Sequence, residues 1–193
     1  MTTASNPFST RFIRPGAIDY LFPPSTSAES LANQLQQQHW RGSIIGPHGS
    51  GKSSLLIALI PALEKHERRV VHQQVQGGQR QLDWPALQPR EWTNHTLVII
   101  DGYEQLSLWQ RTLLSLRCWR RSSGLLVTAH QPVGLPLLFT TKPSLELALG
   151  IVQRILPASD DHITPSDVTE AYTRHQGNLR EMLLHLYDTY RTR

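Results

Sequence analysis

The chain has 193 residues, 39% hydrophobic and 18% charged, with a formal net charge of +4. That length holds one compact domain, or a domain with a small appendage, and the composition excludes a disordered or fibrous chain. The small positive excess permits a polyanionic partner without requiring one, and the single cysteine, Cys118, excludes an internal disulfide and fits a reducing cytoplasm.

The N-terminus, MTTASNPFSTRF, lacks the apolar core of a secretion signal, and the longest apolar stretch, LLIALIPAL at 55–63, is too short to cross a bilayer. No membrane partner and a cytoplasmic location are the expectation. Residues 1–27 are rich in Pro, Ser and Thr and read as an extended arm, with Phe8, Phe12, Tyr20, Leu21 and Phe22 to bury. The next segment, 27–38, starts with a helix cap at Ser27, but Ser30 instead of Glu at the third position leaves the reciprocal box incomplete.

Alternation begins at residue 41. RGSIIG (41–46) reads as a buried strand and SSLLIALIPAL as a helix bent or closed by Pro61. RRVVHQQV (68–75) is a strand, and 77–95 is loop with one helical turn. TLVII (96–100) has the continuous apolar run of a strand buried on both faces. Residues 104–121 read as a helix with Leu106, Trp109, Leu113 and Leu116 on its apolar face. GLLVTAH (124–130) and LPLLFTT (135–141) are strands, and 144–156 is a helix. After Pro157 two helices follow with no strand between them. Thr164, Pro165 and Asp167 open the first; Gly177 closes it, and Asn178 caps the second with Glu181 at the reciprocal position.

This order predicts an α/β fold: a three-layer αβα core with a mainly parallel sheet of about five strands, plus a small C-terminal helical lid. The expected divisions are an N-terminal arm and helix at 1–39, the core at 40–156 and the lid at 157–193.

Residues 46–54 read GPHGSGKSS. A strand should precede this stretch and a helix should follow it, the context a phosphate-cradling loop needs. Gly46, Gly49 and Gly51 let backbone N–H groups approach phosphate oxygens, and the helix N-terminus adds its dipole. Lys52 can reach the β- and γ-phosphates and Ser53 can ligate Mg²⁺. Pro47, His48, Ser50 and Ser54 complete the candidate nucleotide-binding set. Asp101, at the end of TLVIID, is the candidate second metal residue; capping the next helix is the plainer alternative.

Hydrolysis also needs a group to orient or deprotonate water. Gly102 has no side chain for this, so Glu104 is the candidate base; it can equally serve as a first-turn acid on a helix dipole. Thr128 or His130 can act as a polar sensor at the end of the neighbouring strand. Arg180, beside the apolar stripe of Leu179, Met182, Leu183, Leu186, Tyr187 and Tyr190, can reach a phosphate or pair with a surface acid.

GPHGSGKS, VIIDGYEQL, LLVTAH and HQGNLRE together make residues 40–193 resemble the AAA+ and STAND group of P-loop ATPases. The resemblance implies Mg-ATP as cofactor, phosphate and metal binding by Lys52 and Ser53, Asp101 as the Walker B acid, Thr128 as sensor one and Arg180 as the lid arginine. The group's Asp-Glu is Asp-Gly here, a spacing closer to the STAND pattern and one that favours Glu104. The chain also carries a shorter lid.

Three functions compete. An ATPase acting as a switch or motor uses Lys52, Arg180 and Glu104 catalytically. A nucleotide-dependent interaction module binds ATP without hydrolysing it. A small-molecule kinase would need an acceptor-binding insertion that no segment supplies. A second copy or another protein partner can receive an arginine from Arg117, Arg120 or Arg121, although a solvated helix end is the plainer reading of that cluster. Nucleic acid stays open without a supporting motif; Trp84 and Trp92 flank a loop, where isolated tryptophans usually pack.

Overall fold

Every strand runs parallel to its neighbours. The computed structural model describes residues 6–157 and 160–193, so the first five residues of the arm and residues 158–159 of the C-terminal segment lie outside it. In chain order the strands are β1 (Arg41–Ile45), β2 (Arg69–Gln74), β3 (Thr96–Asp101), β4 (Gly124–Ala129) and β5 (Leu137–Thr140). Side by side they lie as β2-β3-β4-β1-β5. Parallel neighbours need crossovers; helices lie in the connections from β1 to β2, β2 to β3 and β3 to β4, while residues 130–136 between β4 and β5 form no helix. The helices are α1 (Thr10–Ile13), α2 (Ala28–Gln37), α3 (Lys52–Lys65), α4 (Trp84–Leu87), α5 (Leu108–Arg120), α6 (Leu145–Ile155), α7 (Pro165–Arg174) and α8 (Leu179–Thr192).

Contacts divide the chain into two units. One takes 23–46 and 58–140 and holds the whole sheet; the other takes the described residues of Met1–Phe22, Pro47–Ile57 and Thr141–Arg193.

In the sheet unit, β3 and β4 are buried at every position, as their unbroken apolar runs demand, while edge strand β2 is fully buried at none. Val98 and Ile100 of β3, with Leu125 and Val127 of β4, pack with Leu114 and Cys118 of α5 and with Leu87 and Trp92. Leu97, Ile99 and Leu126 point to the opposite face by strand alternation and are also buried. Burial pushes the Cys118 thiol up to about 11.

Three local expectations change here. Ser30 completes the capping box of α2 after all: its hydroxyl accepts from Ser27 N–H at 2.9 Å while Ser27 Oγ accepts from Ser30 N–H at 3.0 Å. A hydroxyl reaches as a carboxylate would. The expected helix 104–121 is split. Tyr103–Gln105 forms a 3₁₀ turn, and α5 starts at Leu108 behind a new cap, Ser107. The helix also buries a different face. Leu114 and Cys118 point inward, whereas Trp109 and Leu116 are exposed. Polar residues hold the α4 segment against α5: Trp84 Nε1 donates to Gln110 Oε1 at 3.0 Å, and the Arg117 guanidinium lies 3.9 Å from the Trp84 ring centre.

In the other unit, Phe8 is fully buried among Ala148 and Val152 of α6, Val168 of α7 and Met182 and Leu186 of α8. This ring anchors the arm, and truncating so buried a Phe costs about 3–5 kcal/mol. Phe12 is exposed. Thr164 and Asp167 form a capping box at α7, with Pro165 in its first turn. Asn178 caps α8 through Glu181 N–H at 3.2 Å, and its own N–H goes to His175 O instead of to Glu181. Pro61 lies inside α3, which continues to Lys65; the missing N–H leaves one helical bond, to the carbonyl of Ile57, unmade.

Candidate functional site

The glycine-rich stretch leaves the C-terminal end of β1 and enters α3, whose first turn closes with Leu55 N–H on Gly51 O at 2.9 Å. Gly49 and Gly51 have φ of 66° and 90°. These are left-handed conformations in which glycine alone avoids a Cβ cost. Pro47 and His48 are exposed, Gly46 and Ser50 buried, and Ser53 and Ser54 half-buried at the start of the helix. Ser50 Oγ donates to Pro47 O at 2.8 Å and shares a 2.6 Å hydrogen bond with Thr141 Oγ1. Lys52 Nζ folds back over the loop to Pro47 O at 2.7 Å. The loop thus holds an ammonium against its own backbone. These donors suit nucleotide phosphates: an ammonium and a helix N-terminus.

Two neighbours of the loop were not legible in the sequence. Leu179 N–H donates to Gly49 O at 3.2 Å, and a Cβ on Gly49 would overlap Asn178 Oδ1. The first residues of α8 therefore sit on the loop. A Cβ on Gly51 would lie 3.7 Å from the ring of Tyr20, whose hydroxyl burial pushes up to about 12. The sequence marked Asn178 only as a cap and Tyr20 only as an apolar residue of the arm; no spacing links either to a glycine so far away. Arg180, the second residue of α8, is exposed and makes no ion pair among the described residues.

A second group gathers where the parallel neighbours β3 and β4 end. Asp101 is only 6% exposed. Thr128 Oγ1 donates to Asp101 Oδ1 at 2.6 Å and accepts from Gly102 N–H at 2.8 Å. The threonine proton is committed to the aspartate, so Thr128 orients that carboxylate. Gly102 has φ 88°, and a Cβ there would come within 2.7 Å of Val75 O. A side chain at this position would collide with backbone, which explains why an acid, if present, must come later.

Glu104 is that later acid, in the 3₁₀ turn. Its Oε1 lies 3.2 Å from His130 Nε2, with both side chains about three-quarters buried. Its Oε2 is buried without a hydrogen-bond partner among the described residues. Arg111 fixes the turn: Nη2 donates to Glu104 O at 2.8 Å and Nε to Leu106 O at 3.0 Å. Burial raises the nearby Tyr103 hydroxyl above its ordinary value. Of the arginine cluster, Arg117 is engaged with Trp84, while Arg120 and Arg121 are exposed.

No protein-family model and no curated protein matches the chain. Among solved structures it is similar to the S. cerevisiae Hsp104–ADP complex, with TM-score 0.58 and 14% identity over 93% of this chain and 32% of that one. It thus spans about a third of the Hsp104 chain. Slighter likenesses are to the Walker-type ATPase PABY2304 of Pyrococcus abyssi (TM-score 0.48, 14% identity, 81% of this chain and 64% of that one) and to C. elegans PCH-2 (TM-score 0.40, 12% identity, 85% and 66%). The Hsp104 likeness concerns the fold alone. Together with the all-parallel order β2-β3-β4-β1-β5 and the glycine loop after β1, it shows that the chain has the α/β fold of the P-loop NTPases.

Proposed function

We propose that the chain is a Mg-dependent ATPase that works as a nucleotide-driven switch. The observation carrying this reading is the loop: two left-handed glycines, a helix N-terminus and Lys52 Nζ folded over the backbone. Gly46 to Ser54 hold the phosphates, with Lys52 neutralising charge that builds during phosphoryl transfer. Ser53 and Asp101 are the residues for Mg²⁺, which when bound supplies positive charge to the phosphate oxygens. Thr128 keeps Asp101 oriented.

Glu104 is the proton acceptor for the attacking water. The buried Oε2, which has no hydrogen-bond partner among the described residues, supports this role, because it leaves one carboxylate oxygen to accept a hydrogen bond from water. Arg180 adds positive charge from α8. That helix already hydrogen-bonds the loop at Gly49, which supports its use as a lid that follows the nucleotide state. Oligomerisation, a STAND-like subtype and a cytoplasmic setting extend the same proposal.

The second reading, binding without turnover, has its own support: Glu104 Oε1 is occupied by His130. Phosphate release from Mg-ATP, measured on wild type and Glu104→Gln beside nucleotide binding on the same samples, separates the two. Turnover that Glu104→Gln removes supports the ATPase. Binding without turnover in either protein supports the interaction module.

A further inference from the structure

Helix α5 has a second apolar face, and that face is in water. Leu108, Trp109, Leu116 and Trp119 are 77%, 71%, 47% and 74% exposed. Trp109, Leu116 and Trp119 follow one another at seven and three residues, so they share a stripe about 15 Å long. Four large apolar side chains clustered on one exposed helix are a costly arrangement unless something covers them. The core does not need them, since Leu114 and Cys118 already face it.

The chain segment that carries the stripe has charge of one sign. No Asp or Glu occurs anywhere from 105 to 145. Arg111 is tied to the carbonyls of Glu104 and Leu106, and Arg117 lies over Trp84. Arg120 and Arg121 remain exposed at the C-terminal end of the stripe. We infer that this face docks another protein through an amphipathic helix whose apolar side covers Trp109 to Trp119 and whose acidic residues meet Arg120 and Arg121.

Charge complementarity selects this occupant. A second copy presenting the same stripe would bring arginines and no carboxylate. A nucleic acid would find stacking surface on Trp109 and Trp119 but only two exposed arginines beside them, too few phosphate contacts for appreciable binding. The inference is independent of nucleotide turnover.

The test uses the full chain and two synthetic amphipathic helical peptides with identical leucine positions, one carrying Glu and the other Lys on its polar side. Binding is followed by calorimetry and by acrylamide quenching of tryptophan emission. The Glu peptide should bind saturably, at least about tenfold more tightly than the Lys peptide, and protect tryptophan. Trp109→Ser with Trp119→Ser should abolish binding while near-UV circular dichroism reports an intact fold. Arg120→Glu with Arg121→Glu should reverse the peptide preference. Four results would overturn the inference: neither peptide binds; both bind equally; sedimentation shows a self-associated species that the tryptophan pair abolishes; or a single-stranded oligonucleotide binds this face more tightly than the Glu peptide.

Discussion

His130 Nε2 lies 3.2 Å from Glu104 Oε1, joining the residue after β4 to the turn after β3. Because β3 and β4 are parallel neighbours, their C-terminal ends fall together, and a pair distant in sequence becomes a contact. The contact leaves Oε1 engaged and Oε2 without a partner among the described residues. Glu104→Gln is therefore expected to lower phosphate release by about 10²–10⁴-fold while nucleotide affinity is kept. His130→Ala removes the contact that holds Oε1 and should lower kcat by about tenfold, about 1.4 kcal/mol of barrier, without moving KM. Equal losses in the two variants would show that His130 does more than hold the carboxylate.

Gly49 is constrained twice, by its φ of 66° and by Asn178. Gly49→Ala should destabilise the protein, with at least about 1–2 kcal/mol from the left-handed backbone alone. Adding Asn178→Gly should relieve the collision and leave the backbone cost, with a few tenths of a kcal/mol more from the lost cap of α8. Thermal unfolding of the single and double variants measures both. No recovery in the double variant would mean that the asparagine is not what opposes a Cβ.

Arg193 holds the Asp167 carboxyl down to about 2, from 3.8, by a hydrogen bond of 2.7 Å, helped by Thr164 at the start of α7. The folded value lies below the unfolded one, so the stabilisation is present above about pH 4 and is lost as the pH falls toward 2. Arg193→Ala should shrink this acid-dependent part of the stability and leave the rest of the profile unchanged. Since Arg193 is largely in water, the effect should also weaken with salt.

Cys118 is buried, and its thiol is pushed up to about 11. At pH 8 only about one thiol in a thousand is thiolate, so alkylation of the folded protein should be slow. Denaturant should raise the rate by orders of magnitude. Fast alkylation under native conditions would place the cysteine somewhere other than the core between α5 and the sheet.

The fold was readable where burial speaks through unbroken apolar runs. Thr96–Asp101 and Gly124–Ala129 carry such runs, and each is a central strand. The glycine loop was readable because its chemistry is local. Helix α5 misled because it is apolar on two sides, and periodicity cannot say which side meets the core. Its start was also obscured: Ser107 caps it, and the 3₁₀ turn before it uses residues that equally suit a helix. The Glu104–His130 pair, the seat of Asn178 on Gly49 and Tyr20 beside Gly51 depend on tertiary approach, which no spacing in one sequence encodes.

The central claim is that Lys52 and its loop hold a nucleotide's phosphates. Calorimetric titration of wild type and Lys52→Ala with Mg-ATP tests it most directly. The account predicts one site per chain in wild type and an affinity weakened by about ten- to a hundredfold in Lys52→Ala, the cost of losing a charged hydrogen-bond donor. Equal affinity in the two proteins, or no binding to wild type, would contradict it.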